Sequence, residues 1–124
     1  MVRSEMATVL LIGEDSMLLR TRAAVLRKTG AEIATCDSRA ALATQAEKEC
    51  EVVLLCHSLS EARTASLAAS IRKSWPQTKI LQVSSDRVGG GAAADKVVDA
   101  ISSWEPERLI GQTVKLLERS RAEQ

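Results

Sequence analysis

Val52-Val53-Leu54-Leu55-Cys56-His57-Ser58-Leu59-Ser60 decides the fold. It opens on an unbroken apolar run, Val52 to Cys56, and closes on small polar residues that can start a helix. A half-buried strand alternates apolar and polar positions. A continuous run of this length reads instead as a strand covered on both faces, the condition of a central strand in a parallel sheet. Working outward, Thr8 to Ile12 and Lys79 to Ser84 have the same character, and Ala31 to Thr35 and Val97 to Ile101 read as two further strands. Helical patterns fill the gaps. Glu14, Asp15 and Ser16 supply N-cap chemistry for a helix over about 16 to 28, with Leu18, Leu19, Ala23, Val25 and Leu26 on one stripe and Gly30 as its C-terminal stop.

An alanine-rich helix follows Asp37 and Ser38 and ends near Lys48. A third opens at Ser58 to Ser60, carries Leu67, Ala68 and Ile71, and is stopped by Trp75-Pro76, because the residue before proline is pushed out of the α region. Gly89, Gly90 and Gly91 leave room only for a shortened fourth helix near Ala92 to Lys96. Glu105-Pro106-Glu107 opens the last, with proline at N1, acids at the positive dipole end, and Leu109, Ile110, Val114 and Leu117 as its apolar stripe. Five strands alternating with five helices in 124 residues require right-handed crossovers. The expectation is an α/β, doubly wound, five-stranded parallel sheet in a single domain spanning residues 1–124, with its core over about 7 to 118.

Charge narrows the partners. Lys plus Arg total 17 against 16 acids, so no broad field steers the chain toward nucleic acid or an anionic membrane. No apolar run approaches the roughly 18 residues of a membrane span, and the N-terminus lacks the order of a signal peptide. Cys36, Cys50 and Cys56 form an odd set without C-x-x-C spacing, which suits a reducing, cytoplasmic setting. Tyr and Phe are absent, so the core must be aliphatic, with Trp75 and Trp104 packing at its rim.

Ligands of doubly wound sheets gather at the carboxyl ends of the strands. There Val9-Leu10-Leu11-Ile12-Gly13-Glu14-Asp15-Ser16 is similar to the first strand of the receiver domains of bacterial response regulators, an apolar run closed by two acids. The stretch from Val52 to Ser60 resembles their third strand, Ile80-Leu81-Gln82-Val83-Ser84-Ser85 their fourth, and Trp104-Glu105-Pro106-Glu107-Arg108-Leu109 the start of their fifth helix. The resemblance implies a CheY-like, flavodoxin-like sheet of order 2-1-3-4-5. It also implies two-component signalling by phosphoryl transfer, as in a phosphorelay, from a partner histidine to a third-strand aspartate beside a divalent cation.

This sequence departs from that chemistry. Cys56 stands at the acceptor position, Gly13 replaces one first-strand acid, and Ser102 or Ser103 falls where the family carries a lysine, for which Lys96 is a distant substitute. Ser84 matches the hydroxyl position of the family switch, but no Tyr or Phe is present to couple to it. A hard cation prefers oxygen, so Mg²⁺ binding is expected to be lost or very weak, with Glu14 and Asp15 as weak metal candidates that serve better as helix caps. Neither Cys56 beside His57 nor the triple glycine builds a catalytic or phosphate-binding motif.

The leading expectation is a non-enzymatic pseudo-receiver acting by contact with signalling proteins, a histidine kinase or another regulator among them. The fourth helix, fifth strand and fifth helix would offer a homodimer face. Two alternatives stay open: a thiol redox sensor or small enzyme using Cys56, and a phospho-receiver whose displaced acceptor is Glu14 or Asp15.

Overall fold

The computed structural model describes residues 8–37, 39, 50–56, 59–84, 98–103 and 105–122. The expected second and fourth helices, the triple glycine, His57, Lys96 and Trp104 lie outside them. In chain order the described elements are β1 (Thr8–Ile12), α1 (Ser16–Leu26) with a 3₁₀ turn (Arg27–Thr29), β2 (Glu32–Cys36), β3 (Val52–Leu55), α2 (Glu61–Ser74), β4 (Lys79–Ser84), β5 (Ala100–Ser103) and α3 (Pro106–Ala122). The strands form one parallel sheet in the order β2-β1-β3-β4-β5.

The unbroken apolar runs produce two cores, as their lack of alternation requires. Val9 and Leu11 of β1, Val52 and Leu54 of β3 and Leu81 and Val83 of β4 point to one face, where they pack with Leu19, Ala23 and Leu26 of α1 and Leu109, Leu116 and Leu117 of α3. Their neighbours Leu10, Ile12, Val53, Leu55 and Ile80 point to the other face, against Leu67, Ala68 and Ile71 of α2. Trp75 goes deeper than a rim position, buried in this second core.

Local chemistry sets the limits of the elements. The Ser60 hydroxyl caps α2 by accepting from the Arg63 amide at 3.1 Å. After α1 and its 3₁₀ turn, Gly30 adopts φ 86°, a left-handed conformation that costs a β-carbon-bearing residue roughly 1–2 kcal/mol.

Two strands are offset from the sequence expectation. β2 starts at Glu32 rather than Ala31, whose amide is taken by the Thr29 hydroxyl at 3.2 Å. β5 runs Ala100–Ser103 rather than Val97–Ile101. The Asp99 carboxylate accepts the Ile80 amide at 2.7 Å in place of a backbone carbonyl, so regular pairing begins one residue later. On α3 the buried stripe is Leu109, Thr113, Leu116, Leu117 and Ser120, with Ile110 and Val114 only half-buried. Thr113 tolerates burial because its hydroxyl donates to the Leu109 carbonyl at 2.7 Å.

Candidate functional site

Parallel strands end together, so the carboxyl end of the sheet forms a mouth where the chain leaves β1 for one side and β3 for the other. Backbone pairing carries the ladder one residue past the strands here. The Gly13 amide donates to the Cys36 carbonyl at 3.1 Å, and the Cys56 amide to the Ile12 carbonyl at 2.9 Å. Register continues across the sheet through Leu55 opposite Gln82 and Val83 opposite Ser102. Gly13, Cys56 and Ser102 are thereby brought to one end of the sheet, with Ser84 as the last residue of β4.

Cys56 falls in phase with Val52 and Leu54 and joins the core beneath α1 and α3, only 1 % exposed. Burial pushes its thiol up from 9.0. The Arg22 guanidinium opposes that rise, both through its charge and through a hydrogen bond to the thiol. Arg22 is itself 6 % exposed, an arginine within the buried stripe of α1 between Leu19 and Leu26. Sequence reading missed it, although the signal was present: Arg22 sits three residues after one core leucine and four before another, a spacing that puts all three on one helix face.

The acids beside the mouth are differently disposed. Asp15 is the N-cap of α1, and its Oδ1 accepts the Met17 amide at 3.0 Å and the Leu18 amide at 3.2 Å. Glu14 is exposed. Across the sheet, Ser102 is buried and its hydroxyl donates to the Ser103 carbonyl at 2.8 Å. The Ser103 hydroxyl faces Glu105 Oε1 at 3.3 Å.

Among the described residues no three His, Cys, Asp or Glu side chains come together as a metal-holding group. One capping carboxylate, one exposed carboxylate and a buried protonated thiol beside a guanidinium are a poor donor set for Mg²⁺, which demands near-octahedral oxygen. A separate open groove of about 210 Å³ lies between α1 and β2, lined by Ser16, Leu19, Arg20, Ala23, Arg27 and Thr35, and includes none of the mouth residues Cys56, Ser84 and Ser102.

Solved structures share this architecture. A receiver domain from Methanospirillum hungatei JF-1 superposes with a TM-score of 0.82 at 16 % identity, over 97 % of this chain and 100 % of that one. The fold is CheY-like. A signal receiver domain of an HD domain-containing protein from Pseudomonas fluorescens Pf-5 gives a TM-score of 0.81 at 18 % identity, over 95 % and 99 %. The response regulator TrrA of Thermotoga maritima, solved in complex with Mg²⁺-BeF, gives 0.77 at 19 % identity, over 90 % and 99 %. No protein-family model matches the sequence, and no curated protein matches it either. No described helix of this CheY-like fold is long and apolar enough to cross a membrane.

Proposed function

We propose that the chain is a receiver-like signalling module of the two-component type that works by protein contact without accepting a phosphoryl group. The observation that carries this reading is the buried, protonated thiol of Cys56 at the mouth of β3. A thiol in that state offers neither the oxygen nucleophile that forms an acyl phosphate nor a ligand for a hard cation. Asp15 is engaged by two helix amides, which weighs against its serving as a displaced acceptor. The alternative of a reactive Cys56 fares no better, because reactive thiols are accessible and have a lowered pKa, whereas this one is buried and raised.

The partners, on this reading, are proteins of a signalling pathway, a histidine kinase or another regulator. The surface formed by β5 and α3 is the contact face, toward a partner or a second copy. The Thermotoga maritima protein was solved with Mg²⁺-BeF, and that reagent makes the test direct. The chain is titrated with Mg²⁺ and BeF₃⁻, or incubated with acetyl phosphate, while amide shifts around Cys56 are followed. Unchanged spectra are expected. Saturable shifts at the mouth, or a phosphoryl adduct by mass spectrometry, would overturn the reading. If an adduct formed, replacing Glu14 and Asp15 with Ala in turn would identify a displaced acceptor.

A further inference from the structure

We propose that Arg22 is a built-in cation of the sheet's mouth: its guanidinium, seated against Cys56, repels divalent ions and would pair with any acid placed at position 56 before a metal could. The inference deepens the phosphate-independent reading and rests on it for its biological meaning. Its geometry stands apart from that reading.

Three observations carry it. Arg22 lies on the buried stripe of α1, between Leu19 and Leu26, and is nearly enclosed. Cys56 belongs to the core that this stripe covers, on the same sheet face as Leu54 and Val83. The two side chains come close enough there for the Arg22 guanidinium to hold the thiol's pKa down against the effect of burial. Arginine keeps its charge even when enclosed, so helix packing alone delivers a permanent positive charge to the end of β3. A divalent ion approaching this position meets repulsion twice that felt by a monovalent one, in surroundings less screening than water. An aspartate introduced at position 56 would find a rigid, planar donor already in place, matched in shape to a carboxylate.

Beside the departures at Gly13 and Ser102, the mouth therefore carries two linked changes from a metal-dependent acceptor, the thiol and the arginine. Reversing the first alone restores no metal site.

The experiment compares Cys56→Asp with the double variant Arg22→Met/Cys56→Asp, in which Met retains much of the apolar stem. The introduced carboxyl is titrated by ¹³C NMR. With Arg22 present its pKa is expected below the ordinary ~3.9, and without Arg22 at least about 2 units higher, because burial then acts unopposed. Equal values in the two proteins would overturn the proposal. In Cys56→Asp, about 10 mM Mg²⁺ is expected to leave the carboxyl resonance in place; a saturable shift would overturn the proposal.

Should either variant fail to fold, the native chain supplies the test. Arg22 side-chain N–H resonances are expected to exchange slowly with water and to show nuclear Overhauser contacts to the Cys56 β-protons. Rapid exchange with no such contact sinks the idea. Uptake of BeF₃⁻ by the native chain would refute phosphate independence. It would leave the arginine's seat to be judged by titration of the carboxyl introduced in Cys56→Asp.

Discussion

Two arginines divide the molecule into a floor and a mouth. At the floor, where β4 and β5 begin, Arg72 of α2 donates Nη1 to the Thr78 carbonyl at 2.9 Å and Nη2 to the Asp99 carboxylate at 2.8 Å. The same carboxylate oxygen accepts the Ile80 amide, so one acid joins a helix to two strands. At the mouth, Arg22 is more deeply enclosed and meets a thiol that burial keeps protonated. The floor has the chemistry of a structural clamp, with charge matched to charge and a backbone amide satisfied by the same group. The mouth has a charge held beside a neutral sulfur, which supplies no opposite charge to offset the cost of burying the guanidinium; in the proposed role that charge keeps divalent cations away.

Removing the floor acid should do the most damage. Asp99→Ala strips the partner from Arg72 and leaves the Ile80 amide without its acceptor, so a loss of about 3 kcal/mol is expected in urea unfolding. A loss below about 1 kcal/mol would remove the clamp from the comparison. Next, Asp15→Ala deletes the α1 cap beside the mouth and should cost about 1 kcal/mol. Native Mg²⁺ titrations should look the same before and after. A metal response lost with Asp15 would instead make it a ligand.

Alkali probes the mouth's outer strand. The Cys36 thiol is pushed up from 9.0 to about 11 by burial, then by the charge of Asp37, then by Cys50. The folded chain holds this proton more tightly than the unfolded one, so the stabilisation is whole below pH 9 and drains away as pH climbs toward 11. Cys36→Ala should flatten the decline in stability across that window, measured by urea melts at successive pH values. An unchanged slope would assign the alkaline loss to other groups, Cys56 among them, whose shift has the same sign. The smallest effect is expected from Arg22→Met, a change within about 1 kcal/mol in either direction, because an apolar residue of similar length can fill the same space. A loss comparable to that of Asp99→Ala would make both arginines clamps and erase the distinction.

Much of this fold was legible because its elements announce themselves locally. β1 and β4 begin and end where the apolar runs do, Ser60 and Pro106 open their helices, and Gly30 follows the 3₁₀ extension of α1. β5 was displaced in the reading because Ser102 and Ser103 are polar and look like a loop, whereas their pairing with Val83 and Ser84 keeps them in the strand. Of the site positions, Gly13, Cys56 and Ser84 were placed at strand ends by the apolar runs together with the receiver resemblance, whereas Ser102 was placed by the resemblance alone, because the sequence reading ends that strand at Ile101. Capping chemistry was legible for Glu14, Asp15 and Ser16 as a group before the apolar helix stripe, and the structure gives the N-cap to Asp15.

The order of apolar runs, and the sulfur at the end of the third, are properties of neighbouring residues, and no long-range contact is needed to read them. Which side chain meets that sulfur depends on how α1 lies across the sheet, a relation between residues 22 and 56 that separation along the chain conceals. The same holds for Asp99, an unremarkable acid in sequence that becomes a junction only when α2, β4 and β5 converge on it. Periodicity determines which face of an element is buried, whereas the partner of a buried charge is chosen by packing between elements distant in the chain.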